Sequence, residues 1–139
     1  MIEIELNNVK KNFGLKNVLD GVSFEVKTGE RISLIGENGS GKSTLIKIIL
    51  GKDNDFSGEI KINSSVKIGY IPQEIKFQNE SDTILDYFLK NFGGSETQAR
   101  TFLAKYMFYG ENVFKRLKEL SGGERVRLLI AELVIKQTN

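Results

Sequence analysis

The sequence contains no cysteine, no histidine and no tryptophan, and it has one proline among its 139 residues. The lack of cysteine excludes disulfides and thiolate metal sites, and the lack of histidine excludes every reaction or metal site that needs an imidazole. No stretch approaches the run of about 18 apolar residues that a membrane helix requires. The amino-terminal residues MIEIELNNVKK alternate apolar and acidic side chains, unlike the apolar block of a signal peptide. We therefore expect a cytoplasmic protein.

Charge and hydrophobic content are those of an ordinary globular domain. Hydrophobic residues make up 40% of the chain and charged residues 27%, and the formal net charge is +2. Such a chain is long enough to bury a core. Basic and acidic side chains are interspersed along the whole length, so composition by itself indicates neither a nucleic-acid surface nor a membrane surface.

The amino-terminal half has the patterns of strands followed by a helix. Residues 2–6 and 22–26 alternate apolar and polar side chains, which predicts two strands of an antiparallel layer. Residues 31–35 form a short apolar segment followed at once by glycines, which predicts a buried strand. Residues 43–50 are apolar almost all round and precede Gly51, so we expect a buried helix with a glycine cap at its carboxyl end.

The pattern then changes from strands to helices. Two further short strands are predicted at residues 58–62 and 66–71, and the single proline, Pro72, closes the second. From residue 81 onward the apolar residues recur with helical spacing. The predicted architecture is therefore an α/β core that a group of helices interrupts.

Capping residues predict where three helices begin. Ser81 and Asp82 precede the first helical pattern. Ser95 precedes the second, with Gln98 at the spacing of a capping box, and Ser121 opens the last helix.

A glycine-rich segment between the predicted strand 31–35 and the following helix matches the pattern G-x-x-x-x-G-K-[ST]. Glycines allow the backbone N–H groups to turn inward around phosphates, and the helix that follows directs its positive end at the same anion. In this pattern Lys42 contacts the β- and γ-phosphates, the Ser43 hydroxyl is a magnesium ligand, and Thr44 is placed at the α-phosphate. The predicted nucleotide-binding residues are Gly36, Glu37, Asn38, Gly39, Ser40, Gly41, Lys42, Ser43 and Thr44.

Two other interpretations of this segment compete with nucleotide binding. A tight glycine turn with a surface lysine remains open. A dinucleotide-binding loop is disfavoured, because G-x-G-x-x-G is absent there and Lys42 would have no function in it.

A second glycine motif stands at the start of the last predicted helix. The sequence Leu120-Ser121-Gly122-Gly123-Glu124, together with the loop at Gly36, resembles the signature motif of the ATP-binding-cassette superfamily. A hydroxyl and two unhindered glycine amides at a helix amino terminus suit an anion. The alternative is that Ser121 and Glu124 form only a capping box, and the two interpretations are compatible.

The resemblance implies a fold, cofactors and a partner. It implies a P-loop NTPase core of the ABC ATPase type at residues 31–80, an antiparallel β layer at 1–30, a helical subdomain at 81–120 and a signature helix at 121–139. It further implies ATP and Mg²⁺ as ligands. A second ABC domain would pair head to tail with the chain, and its bound ATP would contact Ser121, Gly122, Gly123 and Glu124.

Two further residues resemble functional positions of the family. Gln73 resembles the Q-loop glutamine, which reaches the magnesium and the attacking water, so Ser43 and Gln73 are the predicted metal ligands. Phe13 resembles the aromatic residue that stacks on adenine, an interaction worth about 1–3 kcal/mol per base. Core packing is the alternative for Phe13.

The sequence around the signature most resembles the ABC-F branch, whose members are cytoplasmic proteins that act on the ribosome. The resemblance rests on residues 113–127, 69–74 and 100–103. It implies an ATP-dependent translation or antibiotic-resistance factor that contacts ribosomal RNA. Two alternatives stay open: the nucleotide-binding subunit of a transporter, bound to a membrane subunit, and an interaction module that uses ATP only as a structural ligand. Arg125 and Arg127 could equally be a solvated basic face.

Cassettes of this family continue beyond the signature helix to a strand with a magnesium-ordering aspartate, called Walker B, then a glutamate and a histidine. This sequence ends at Gln137, Thr138 and Asn139. We therefore expect it to stop before the Walker B strand, to bind ATP without hydrolysing it by itself, and to contain no catalytic residue. We also expect the strand at 31–35 to lack a hydrogen-bonding partner, and the apolar surfaces of this strand and of the helices at 43–50 and 126–135 to be left partly uncovered.

Overall fold

The computed structural model describes residues 1–136. They form two compact units, one covering Met1–Ile68 and the other beginning at Gly69.

The first unit is built on a three-stranded antiparallel sheet. Strand β1 covers Ile2–Phe13, β2 covers Lys16–Lys27 and β3 covers Ser57–Ile62, in the spatial order β2-β1-β3. The antiparallel pairing of β1 with β2 confirms the two strands predicted at residues 2–6 and 22–26. The alternation in these segments places one face of the sheet in the core, because successive side chains of a strand point to opposite faces. The buried apolar residues of this unit are Leu6, Val9, Leu19, Leu45 and Ile48.

Helix α1, Lys42–Ile49, follows the glycine-rich loop and buries Leu45 and Ile48 in the core of the first unit. It ends as predicted at Gly51, which has a left-handed φ of 68°. The Gly51 amide donates to the carbonyl of Ile48 at 3.0 Å, and the amide of the next residue donates to the carbonyl of Lys47 at 2.9 Å. This pair of bonds satisfies carbonyls that the end of a helix leaves without partners.

The strands predicted at residues 31–35 and 66–71 are not formed. Within residues 1–136, no neighbouring strand pairs with either segment. A strand needs such a neighbour for its backbone hydrogen bonds, so an apolar run without one does not become a strand. Ile35 is 90% exposed and Ile32 is 53% exposed, so the expectation that this apolar segment is left uncovered is met.

The second unit is helical. Helix α2 covers Ile84–Phe92, α3 covers Glu96–Ala104 and α4 covers Gly122–Ile135. Two short 3₁₀ turns, Gly110–Phe114 and Leu117–Glu119, connect α3 to α4. The largest fully buried side chains of this unit are Ile84, Leu103, Val113, Leu117 and Leu128. Helix α4 also carries three half-exposed apolar side chains, Val126, Ile130 and Val134.

The capping predictions for these helices are confirmed in part. Ser95 and Gln98 form the reciprocal capping box of α3, with bonds of 3.2 and 3.0 Å. Helix α2 is capped by Thr83, so the predicted cap at Ser81 and Asp82 is wrong. The Asp82 carboxylate is instead held by Lys90 at 2.8 Å. The Thr83 hydroxyl accepts the Asp86 amide at 3.1 Å, which is the first-turn hydrogen bond of a helix cap.

Of the helices in the described residues, none is long and apolar enough to cross a membrane. The signature helix was predicted to extend to residue 139, and residues 137–139 lie outside the described part of the chain.

Candidate nucleotide-binding site

The glycine-rich loop encloses the ammonium group of its own lysine. Lys42 is the first residue of α1, and its side chain folds back over the loop that precedes it. Its Nζ donates to the carbonyl oxygen of Gly36, to that of Glu37 at 2.7 Å and to the Ser40 hydroxyl at 3.3 Å. A positive charge thus lies in the concavity of the loop, in the place where this pattern binds phosphate. These contacts lie within an exposed turn, so they are compatible with both the nucleotide-binding loop and the tight glycine turn with a surface lysine.

Gly36 and Gly41 both lie where an added Cβ would make a close contact. Gly41 caps α1 with φ at 93°, a left-handed conformation that a residue with a Cβ rarely adopts. A Cβ at this position would lie 3.0 Å from the Val18 carbonyl oxygen and 3.1 Å from Leu19 Cδ2. A Cβ on Gly36 would lie 2.6 Å from the Ser40 hydroxyl oxygen. A side chain at position 36 would thus displace the Ser40 hydroxyl, whereas one at position 41 would meet the backbone of β2.

The amino terminus of α1 suits an anion. Within residues 1–136, no side chain caps this terminus. The first-turn amides of a helix lack intrahelical acceptors, and the helix dipole adds a partial positive charge there. Together with the Lys42 ammonium, this donor set matches a polyphosphate.

The loop also fits magnesium held jointly with a phosphate. The described residues contain no cluster of three or more Asp, Glu, His or Cys side chains that could hold a metal without help. Mg²⁺ keeps several waters and is commonly bound through few protein ligands plus substrate phosphates. The Ser43 hydroxyl lies on an exposed residue at the helix start, and a hydroxyl at this position of the pattern suits such an ion.

Phe13 lies at the end of β1 with 54% of its surface exposed. It is not among the residues packed against the core of the first unit, so core packing does not explain its position. Lys11 places its Nζ 4.9 Å from the ring centroid. An aromatic ring with an open surface at the edge of the unit that carries the phosphate loop is available for stacking.

Ser121 is the cap of α4, as predicted. Its hydroxyl accepts the Glu124 amide at 3.2 Å. The Glu124 carboxylate does not complete a capping box, because Lys115 Nζ donates to both of its oxygens at 3.1 and 2.9 Å. The alternative of a capping box is therefore only half formed. Gly122 and Gly123 are exposed, and among the described residues nothing lies within 4 Å of where their Cβ atoms would be.

Arg125 is not part of a solvated basic face, so that interpretation is wrong for this residue. Its side chain is 19% exposed and makes a two-pronged ion pair with Glu80, at 2.9 and 2.7 Å. It also donates to the carbonyl oxygens of three residues, Ile75, Leu117 and Leu120. The hydrogen bonds from Arg125 hold the pKa of the Glu80 carboxyl below its ordinary value. Arg125 thus joins the start of the signature helix to the segment that follows Gln73.

The site residues are divided between the two units. The loop at Gly36–Thr44 and Phe13 belong to the first unit, and Gln73 and the signature residues belong to the second. Gln73 is exposed in a segment without regular structure. Sequence reasoning missed Lys11 and the partner of Arg125, since no local pattern signals a contact between residues 45 positions apart.

A sequence profile described as "ABC transporter" matches residues 19–139. The chain belongs to the ATP-binding-cassette family. Members of this family bind ATP with Mg²⁺, and their domains pair with a second ABC domain. The match confirms the family resemblance that the two glycine motifs predicted.

Curated relatives of this cassette chain include the energy-dependent translational throttle protein EttA of Escherichia coli and of Shigella flexneri. Each is 33% identical over 136 residues. The alignment covers 94% of this chain and 24% of the relative, so the chain spans about a quarter of the length of these relatives. EttA is an ABC-F protein, which confirms the resemblance to that branch.

Solved structures confirm the α/β fold of an ABC ATPase domain. One comes from a metal-chelate type ABC transporter in an inward-facing conformation, with a TM-score of 0.74 and 22% identity over 99% of this chain and 58% of that chain. Another is an ATP-binding subunit of an ABC transporter, with a TM-score of 0.71 and 27% identity over 93% of this chain and 60% of that one.

Proposed function

We propose that this chain binds Mg·ATP through the loop from Gly36 to Thr44. The observation that carries the proposal is the position of Lys42, whose ammonium lies inside the loop on the carbonyls of Gly36 and Glu37. When the triphosphate binds, Lys42 exchanges these neutral acceptors for the β- and γ-phosphate oxygens, which are stronger partners for a cation. The exposed loop residues Glu37 and Asn38 contribute backbone amides to the same cradle.

The remaining predicted residues complete the site in this proposal. Ser43 is a ligand of the magnesium, Thr44 contacts the α-phosphate, and Phe13 stacks on the adenine. Bound magnesium neutralises charge between the β- and γ-phosphates. The signature residues Ser121, Gly122 and Gly123 contact the γ-phosphate of ATP on a second ABC domain, and Lys115 holds Glu124 beside them.

Calorimetric titration of Mg·ATP tests the loop. We expect Lys42→Ala to weaken binding about 10- to 150-fold, because a hydrogen bond to a charged group contributes about 1.5–3 kcal/mol. Lys27→Ala removes an exposed lysine of the same unit and should leave affinity unchanged. Equal affinities for wild type and Lys42→Ala would refute the assignment of the loop.

We infer further that the whole protein is a cytoplasmic ATPase of the ABC-F type that acts on the ribosome and contacts ribosomal RNA. The similarity to a translational throttle protein supports this inference. Co-sedimentation with purified ribosomes, with and without ATP, tests it. Capture of a membrane subunit in place of ribosomes would favour a transporter nucleotide-binding subunit. Binding to neither would favour an interaction module that uses ATP as a structural ligand.

A further inference from the structure

Among residues 1–136, Lys11 is the one charged side chain that is buried, with 4% of its surface exposed. Burying an ammonium group is costly unless hydrogen bonds and opposite charges replace the lost water. The proposed phosphate and magnesium contacts make no use of Lys11, so its burial requires a separate explanation.

The partners of Lys11 lie just after the phosphate-loop helix. Its Nζ donates to the Asp53 carboxylate at 3.1 Å, to the Asp55 carboxylate at 3.1 Å and to the Asp55 carbonyl oxygen at 2.5 Å. Asp53 in turn accepts the Asp55 amide at 3.0 Å, which fixes the loop around the ammonium. Burial acts to lower the pKa of Lys11, but the hydrogen bonds that it donates to the two aspartates outweigh burial and raise the pKa above its ordinary value. The side chain therefore stays charged.

The same ammonium lies over the ring of Phe13, 4.9 Å from the centroid. A cation at this distance is attracted electrostatically to the face of the ring. Phe13 is two residues beyond Lys11 on β1, a distance of about 7 Å along a strand. One face of the ring is thus held by a group that is itself anchored to the loop after α1.

The two ends of α1 therefore lie next to residues that contact strands β1 and β2. At its amino end, Gly41 lies against Val18 and Leu19 of β2, and Leu19 is the cross-strand partner of Lys11. At its carboxyl end, the helix leads into the aspartates that Lys11 binds. Lys11 therefore contacts both the Phe13 ring and the loop that follows α1.

We propose that Lys11 is a positioning residue that holds the Phe13 ring as a stacking platform for the adenine base, at a fixed place relative to the phosphate loop. This role rests on the proposed binding of Mg·ATP. It gives Lys11 a selective effect: its loss weakens binding of the base and leaves binding of the phosphates intact.

The test compares two ligands that differ only in the base and its sugar. Mg·ATP and inorganic Mg·tripolyphosphate are titrated by calorimetry into wild type, Phe13→Ala and Lys11→Met, a substitution that keeps the length of the stem and removes the charge. We expect Phe13→Ala to weaken ATP binding about 5- to 150-fold, the range equivalent to one stacked base. Lys11→Met should give a loss in the same direction, and neither variant should change the affinity for tripolyphosphate. The double variant should bind ATP no more weakly than Phe13→Ala, because both substitutions act on one platform.

A milder variant covers the possibility that Lys11→Met does not fold. Asp55 is 96% exposed at its side chain, so Asp55→Asn removes one anionic partner of Lys11 at little risk to the core. It should weaken ATP binding by a smaller factor, again without affecting tripolyphosphate. Equal losses for both ligands in Lys11→Met or Asp55→Asn would show a merely structural role and overturn the proposal, as would unchanged ATP affinity in both. If the wild-type chain binds tripolyphosphate as tightly as ATP, the stacking role of Phe13 is refuted and the phosphate site is not. If the wild-type chain binds neither ligand, the proposed nucleotide site is refuted as well.

Discussion

Replacing Gly41 by alanine tests whether the phosphate loop depends on both a special backbone conformation and a close contact. Its φ of 93° lies in the left-handed region, where a Cβ costs an L-residue about 1–2 kcal/mol. The same Cβ would lie 3.0 Å from Val18 Cγ1 and from the Val18 carbonyl oxygen, and such overpacking costs about 1–3 kcal/mol. We therefore expect a total loss of about 2–5 kcal/mol, a large part of the stability of about 5–15 kcal/mol typical of a domain.

Gly39 provides a matched control in the same loop. Its φ is 83°, and among the described residues nothing lies within 4 Å of where a Cβ would be. Gly39→Ala should therefore carry only the conformational cost of about 1–2 kcal/mol. The difference between the two variants isolates the contact of the loop with β2.

Hydrogen exchange followed by mass spectrometry measures both effects. Peptides that cover α1 should exchange faster in Gly41→Ala than in Gly39→Ala by about 5- to 150-fold, the factor equivalent to the packing cost of about 1–3 kcal/mol. Peptides from α3, in the other unit, show whether the effect is local. Equal exchange in the two variants would refute the claim that Val18 and Leu19 constrain the loop. Wild-type exchange in both would refute the conformational argument as well.

Two further predictions concern stability against pH in the second unit. The pKa of Glu80 is lowered in the folded state because Arg125 donates hydrogen bonds to its carboxylate. Ionised Glu80 therefore stabilises the fold at pH values above its ordinary pKa of 4.5, and this contribution is lost as the pH falls through its lower pKa in the folded state. Glu80→Gln should therefore melt with a flatter dependence on pH in the acid range than wild type, and parallel curves would contradict this. Burial, and then the hydrogen bond to Glu132, raise the pKa of Tyr87, so the unfolded chain loses its proton first and stability falls as the pH rises above 10.0. In Tyr87→Phe this fall in stability at alkaline pH should be shallower, and the lost hydrogen bond should lower the free energy of unfolding near neutral pH by about 0.5–1.5 kcal/mol. Denaturant melts from pH 8 upward measure both effects. The same slope of stability against pH in the variant and the wild type would contradict this account.

Local patterns were sufficient for several features of the chain. The capping box of Ser95 and Gln98, the cap at Ser121 and the helix end at Gly51 depend on contacts among residues a few positions apart. Their residue types therefore predict their structure. The same holds for the glycine-rich loop, whose spacing places Lys42 at a helix start, and for the two amino-terminal strands, whose alternation matches a half-buried sheet.

Only the tertiary structure decided the features that depend on residues far apart in the chain. The apolar pattern of residues 31–35 predicted a strand, but a strand exists only where a neighbour accepts its hydrogen bonds, and the described residues supply none. Lys11 and Arg125 look like ordinary surface cations in the sequence, and each becomes restrained by partners more than 40 positions away. The sequence by itself determined the caps at Ser95 and Ser121, the helix end at Gly51 and the turn of the glycine-rich loop, because backbone conformation and short-range hydrogen bonds are properties of neighbouring residues. Strand pairing and the partners of buried charges were decided by the folded chain, because the free energy of both depends on groups that only folding brings together.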